Sequence, residues 1–283
     1  MINDVDITEY NCGDVLIKLA VPKSDVNFST FPWPCAFVMI KYLLNFRSKF
    51  IGKSFLEIGS GTGIVGLLAA KLGAGRVYLT DLPTSISLLN SNISVNNVDD
   101  KVSAFPWIWG TYSPEIEDLD NIDFVIASDV FYSGVDYNTV MFNICLIFEK
   151  FSNAKCLLAY QNRNVNNSLK HHLTKWKLSY AQIPQSHFLN EPNLECQFFI
   201  LSKLSLLVEA PALSSSKSPS NIGLPATIFL PLFIPRPYPS SLDNPLLPFR
   251  TKLSVLSNIL LILSNLPSNS ASGNRFSSSL FKR

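Results

Sequence analysis

Residues 54–73 read SFLEIGSGTGIVGLLAAKLG. Ser54–Ile58 is a short apolar run closed by glycine, the pattern of a buried strand. Ile64, Leu67, Leu68 and Leu72 then recur at helical spacing until Gly73 stops them. Between strand and helix lies Gly59-Ser60-Gly61-Thr62-Gly63. Three glycines let the backbone turn tightly and approach a ligand without side-chain clash. The helix that begins at once offers unpaired N–H groups to an electron-rich group. Arg76–Thr80 (RVYLT) is a second strand, and Asp81 follows it, twenty residues after Gly61. An acid at that place can accept both hydroxyls of an adenosine ribose. Strand, glycine turn, helix, strand and terminal Asp in register describe a nucleoside-cofactor site at the carboxyl ends of an open α/β sheet.

The same alternation extends in both directions. A helix is expected over Ala36–Phe46, before the glycine strand, and another from Pro83 to about Asn96, with proline at its first position. Strands are expected at Lys101–Phe105, Asp123–Ser128, Lys155–Tyr160, Lys177–Ile183 and Cys196–Ser202, with helices at Tyr137–Phe151 and Val165–Trp176. Repeated β-α-β units imply a parallel sheet with helices on both faces. Pro184–Leu194 has no helical stretch of useful length, so the last two strands should pair antiparallel.

The chain has 283 residues, enough for one large domain or two small ones with a real core. Its charge is uneven. Residues 1–203 carry a net −3, whereas the last 80 residues hold seven Lys/Arg against two acidic groups, together with 17 Ser, 17 Leu and 10 of the 18 Pro. Proline at 211, 219, 225, 231, 235, 237, 239, 245 and 248 prevents a long helix or central strand there. Residues 204–283 therefore read as a largely disordered tail. Leu253–Leu266 could form a short apolar helix within it, too short to span a bilayer. The overall charge of +2 does not indicate a strongly basic nucleic-acid grip. Five scattered cysteines, with no C-x-x-C, argue against a disulfide framework or a zinc module and fit a reducing compartment. His171, His172 and His187 show no metal-ligand spacing. The opening MINDVDITEY lacks the basic and apolar regions of a secretory signal, and no apolar run reaches 18 residues. A cytoplasmic or nuclear location follows as the expectation.

The glycine spacing is E-x-G-x-G-x-G rather than the G-x-G-x-x-G of nucleotide dehydrogenases. It resembles the S-adenosylmethionine loop of class I methyltransferases. Further residues extend the resemblance: Phe31-Pro32-Trp33-Pro34 before the first helix, Trp109-Gly110 after the third strand, Asp129-Val130-Phe131-Tyr132 after the fourth, then Tyr160-Gln161-x-Arg163, Ser168-Leu169 and Ile183-Pro184. This set is similar to the seven-β-strand protein methyltransferases of the methyltransferase-like family, over roughly residues 10–203. The resemblance implies a class I S-adenosylmethionine-dependent methyltransferase fold of Rossmann-like α/β type. Its sheet would have seven strands with the last antiparallel, in a domain at 1–203 that opens with a short extension at 1–30.

It also implies roles. S-adenosyl-L-methionine would be the cofactor. Trp33 would sit against it; Glu57, Gly59, Ser60, Gly61 and Gly63 would line its amino-acid part; Asp81 would bind the ribose. Trp109 would pack near the adenine and Ser128 would border it. Asp129 would hold the incoming nitrogen and Tyr132 would wall the substrate channel. Each residue has a plainer role open to it: aromatic packing for Trp33 and Trp109, a hydrogen bond near the turn for Glu57, and a cap on the next loop or helix for Asp129. Relatives that act on adenine or on a glutamine amide carry N-P-P-Y or D-P-P-Y where this chain has Asp129-Val-Phe-Tyr132, so the resemblance favours a protein side chain, Lys or Arg. Its nearest branch tilts toward arginine, on a histone, another nuclear protein or a chaperone-like partner. An RNA or small-molecule methyltransferase, and a cofactor-binding scaffold without turnover, remain the alternatives.

Overall fold

The structure, a computed structural model, describes residues 5–23, 29–132, 135–161, 169–192 and 195–204. The expected tail beyond Leu204, the start of the helix expected from Val165, and Arg163 and Ser168 lie outside the described residues.

The chain opens with a hairpin, β1 (Val5–Cys12) and β2 (Val15–Pro22), paired antiparallel with Cys12 opposite Val15. Its two-residue loop is Gly13-Asp14, with Gly13 at φ 65°, a conformation glycine adopts without a Cβ clash. The sequence reading did not anticipate this element within residues 1–30. Then follow α1 (Pro34–Asn45), β3 (Ser54–Ile58), α2 (Ile64–Lys71), β4 (Arg76–Asp81), α3 (Ile86–Val95), β5 (Val102–Pro106), a short α4 (Pro114–Glu117), β6 (Phe124–Ser128), α5 (Tyr137–Lys150), β7 (Lys155–Gln161), α6 (Leu169–Lys175), β8 (Leu178–Gln182) and β9 (Cys196–Lys203). Expected and observed bounds agree closely. The helix expected from Pro83 instead begins with a 3-10 turn over Pro83–Ser85 before α3.

Seven strands form one sheet in the order β5-β4-β3-β6-β7-β9-β8. The first five in that order pair parallel, and β9 runs antiparallel to both β7 and β8. The joint between β8 and β9 lacks a crossover helix, so its ends can meet only as an antiparallel pair. Central strands are apolar on both faces because helices cover both. Phe55 packs with α1, α2 and α3 on one face, while Leu56 and Ile58 pack with α5 on the other. Each such large side chain, taken fully from water, contributes about 1.5–3 kcal/mol. All five cysteines are buried and form no disulfide. No helix among the described residues is long and apolar enough to cross a membrane.

Gly66 explains why α2 can lie so close to the sheet. A Cβ there would come within 2.8 Å of Glu57 Oε2 and 3.1 Å of Val77 Cγ1. The helix therefore sits directly on β3 and β4, and its N-terminus is fixed beside the glycine turn.

Candidate active site

β3 is bonded on one side to β4 and on the other to β6. The chain leaves β3 toward β4 and β5, then returns to the opposite side at β6. The connections on either side of this switch point diverge to opposite faces, and a crevice opens above the carboxyl ends of β3 and β6. Ile58 and Ala127 are register partners, so the glycine turn and Ser128 leave the sheet side by side. A cleft lies there, bounded by Phe31 and Trp33, by Glu57 and the turn from Gly59 to Thr62, and by Ser128. A larger, shallower groove of about 740 Å³ runs along Gln182–Ser186 and Cys196–Phe198, but no titratable side chain lines it other than Cys196.

The turn is held by the protein's own polar groups. Ser60 N–H donates to Thr80 O at 2.9 Å, and Ser60 Oγ both accepts from Thr80 N–H at 3.0 Å and lies 3.2 Å from the carbonyls of Glu57 and Thr80. The Ser60 hydroxyl thus serves the strand ends, and what residue 60 offers the cleft is its backbone. Asp81 bridges the turn to β4: Oδ2 accepts from Gly61 N–H and Oδ1 from Leu82 N–H, both at 2.8 Å. A carboxylate oxygen has a second acceptor direction, so this bracing leaves Asp81 able to take ribose hydroxyls as well. Gly63, at φ 76°, is the residue from which α2 starts.

Glu57 is 1% exposed, and its Oε2 accepts from Gly66 N–H in α2 at 3.0 Å. Burial pushes its pKa up to about 8; the Gly66 bond opposes this and the Asp81 charge adds to it. Both readings of Glu57 therefore meet in one place: it braces α2 and also lines the cleft.

The far wall comes from β5 and β6. Trp109 packs on Gly59, where a Cβ would lie only 2.6 Å from its Cζ2; with φ at 64° besides, no other residue suits position 59. Trp109 meets Tyr132 edge to face with centroids 6.2 Å apart. Trp33, 41% exposed, caps the N-terminus of α1 and faces the cleft with Phe31. Asp129 is buried and takes φ 61°, which Asp tolerates better than most residues. Its N–H donates to Ala159 O at 2.9 Å. It does not cap α5: Asp136 does, accepting from Asn138 N–H at 2.9 Å. Val130 and Phe131 are buried, while Tyr132 is 43% exposed, and burial raises its pKa with help from the Asp81 charge. Tyr160 is buried with its ring edge-on to Phe131, and Gln161 Nε2 donates to Glu195 Oε2 at 2.6 Å.

Three asparagines around the site escaped the sequence reading. Asn143 in α5 accepts from Gly110 N–H at 2.6 Å and so fixes the Trp109 turn. Asn92 in α3 and Asn96 at its C-terminal cap hold the edge of β2. The available signal was a polar residue inside an apolar helical stripe: Asn143 lies on one face with Val140, Ile144 and Ile147, and Asn92 with Leu88, Leu89 and Ile93. Among the described residues no group of three or more His, Cys, Asp or Glu could hold a metal ion.

Comparison with known proteins follows this geometry. The chain is 31% identical over 176 residues to the histone-arginine methyltransferase METTL23 of Xenopus laevis, covering 61% of this chain and 74% of that protein. It is 33% identical over 161 residues to the human protein of the same name, covering 56% and 84%. The EEF1A lysine methyltransferase 3 of Xenopus tropicalis is 37% identical over 103 residues, covering 35% and 44%. Among solved structures, the T. thermophilus 16S rRNA N2 G1207 methyltransferase in complex with AdoMet and guanosine shares the fold with a TM-score of 0.52 at 14% identity, over 71% of this chain and 51% of that one. The family described as lysine methyltransferase matches residues 23–177, more than half of the sequence and the whole of the glycine turn, Asp81 and the Asp129–Tyr132 segment. The chain belongs to this family and is an S-adenosylmethionine-dependent protein methyltransferase.

Proposed function

We propose that this protein transfers a methyl group from S-adenosylmethionine to an arginine side chain of another protein, a histone or another nuclear protein. Asp129 carries the reading: a buried carboxylate at the carboxyl end of β6, held at positive φ beside the cleft-lining Ser128. The names of the Xenopus and human relatives support arginine and a histone.

The residues suit the cofactor. The glycine turn brings bare backbone to the cleft, Asp81 stands at the end of β4, and Trp33 and Trp109 flank the opening. These residues would hold the cofactor, which supplies an activated methyl group on a sulfonium. The protein's part would be alignment, holding the acceptor nitrogen within about 3–3.5 Å of the carbon it attacks. Asp129 accepts hydrogen bonds from the guanidinium and fixes its plane. Trp109 and Tyr132 offer aromatic faces to a flat cation at the rim. The bound cofactor would supply the methyl group and keep the electron pair of the bond it loses, and the acceptor nitrogen would give up one proton. Asp129 would receive that proton. The methylated guanidinium keeps its charge.

Lysine is the second reading, favoured by the family description and by the EEF1A lysine methyltransferase relative. A lysine must lose its proton before it attacks, since its free pKa is about 10.4. The test is incubation of the full chain with labelled cofactor, core histones and a protein extract, followed by mass spectrometry of labelled peptides. Methylarginine supports the proposal. Methyllysine alone replaces it with the second reading, and label removed by ribonuclease refutes both.

A further inference from the structure

We propose that the N-terminal hairpin is a working part of the cofactor site, and that Asn92 is the positioning residue that joins the two. The proposal rests on the cofactor reading of the glycine turn. Asn92 is fully buried, and its amide is used at both ends. Oδ1 accepts from Ala20 N–H in β2 at 2.7 Å, while Nδ2 donates to Thr62 O in the glycine turn at 2.9 Å. One side chain therefore satisfies a backbone donor of the hairpin and a backbone acceptor of the cofactor turn. Neither group has its pairing from a ladder, and a buried backbone group left unpaired is costly, so each fixes the other through the amide.

Two further contacts make the hairpin a brace. Asn96, the C-terminal cap of α3, accepts from Lys18 N–H at 3.0 Å and donates back to Lys18 O at 2.6 Å. Lys71, at the end of α2, donates to Leu16 O at 2.8 Å. The outer edge of β2 is thus closed by side chains from the two helices that flank the turn. Ser29 O lies 3.5 Å from where a Cβ on Gly61 would sit, and from Ser29 the chain continues through Phe31 to Trp33 along the cleft. Hairpin, turn and cleft wall form one connected body. Thr62, 2% exposed, cannot change its peptide orientation without breaking its bond from the Asn92 amide, whose oxygen holds Ala20.

Linkage makes the coupling reciprocal: a cofactor that orders the turn must also tighten the hairpin. The first test uses the wild-type full chain and S-adenosylhomocysteine as the probe. Hydrogen exchange of peptides covering Val15–Pro22 should slow when the probe binds, although the hairpin lies outside the cleft lining. Probe binding without any change there overturns the proposal. The second test is Asn92→Asp, which keeps the acceptor for Ala20 but turns the donor facing Thr62 O into an acceptor. Its affinity for S-adenosylmethionine by calorimetry should fall about tenfold or more. Leu173→Ala removes a fully buried side chain of α6, which packs against α5 and β8 rather than the turn or the hairpin, so it should lower the melting temperature with less than a threefold change in affinity. Equal affinity losses in the two variants would refute the assignment to Asn92. No uptake by the wild type would overturn the cofactor reading itself, a result distinct from either.

Discussion

Replacing Glu57 by Gln should flatten the dependence of stability on pH. In the folded protein Glu57 is buried and its pKa stands at about 8, chiefly because a charged carboxylate is poorly tolerated there. In the unfolded chain it returns to about 4.3. Between those values the folded state keeps a proton that the unfolded state releases, so stability falls as pH rises, by about 1.4 kcal/mol per pH unit. The loss is complete once pH passes the folded value. Over the window it amounts to about 5 kcal/mol, comparable with the whole stability of a small domain. At about 2–4 °C per kcal/mol, the melting temperature should drop by roughly 10–20 °C from pH 4.5 to pH 8 on this account alone. Gln has the same shape, can still accept from Gly66 N–H through its carbonyl oxygen, and does not titrate. Other groups that titrate in the window, including His172, whose pKa burial lowers, are common to both proteins and cancel in the difference. The assay is thermal melting of both proteins at half-unit steps from pH 4.5 to 8.5. The wild type should be the more stable at the acid end relative to its alkaline end, and the gap between the two curves should change by several kcal/mol across the window. Parallel curves would refute the argument that Glu57 is protonated in the folded state.

Asp81→Ala should weaken S-adenosylmethionine binding about 10- to 100-fold, because it frees Gly61 N–H and removes the carboxylate proposed to accept the ribose; calorimetry that gives equal affinities would contradict that proposal. Asp129→Asn should bind cofactor as the wild type does but transfer methyl at least tenfold more slowly, since Asn tolerates positive φ and removes only the charge; single-turnover rates with a saturated cofactor site check this. Gly59→Ala should lower both stability and cofactor affinity, by about 2 kcal/mol or more in stability, from left-handed backbone strain plus displacement of the Trp109 indole. Gly52→Ala is its comparison: φ is 71° and nothing lies within 4 Å, so its melting temperature should fall slightly while affinity holds.

The fold was legible wherever a local pattern dictated it. The apolar run of Ser54–Ile58, the three glycines and the helical spacing after Ile64 each follow from short-range sterics and burial, and the observed β3 and α2 match them. The places of Gly59, Asp81 and Asp129 at the ends of those elements were legible because local spacing fixes them. The hairpin was harder. Its strands carry weak alternation, with Ile7 and Leu16 exposed, and its best mark, the Gly13-Asp14 loop, is two residues long. Ser60 shows a different limit: its presence in the turn was evident, but the direction of its hydroxyl, toward Thr80 rather than the cleft, depends on how β3 and β4 pair.

By itself the sequence determined the alternating strands and helices from α1 onward, the glycine turn, and the acids that end β4 and follow β6, because each depends on residues close together in the chain. Only the tertiary structure decided which distant groups share a hydrogen bond. Asn92 meets Ala20 and Thr62 across 72 and 30 positions, Asn143 meets Gly110 across 33, and Glu57 acquires its raised pKa only when α2 and the sheet exclude water around it. Such pairings are set by packing, since a buried polar group must find whichever partner the fold brings to it, and no local spacing encodes where that partner will be.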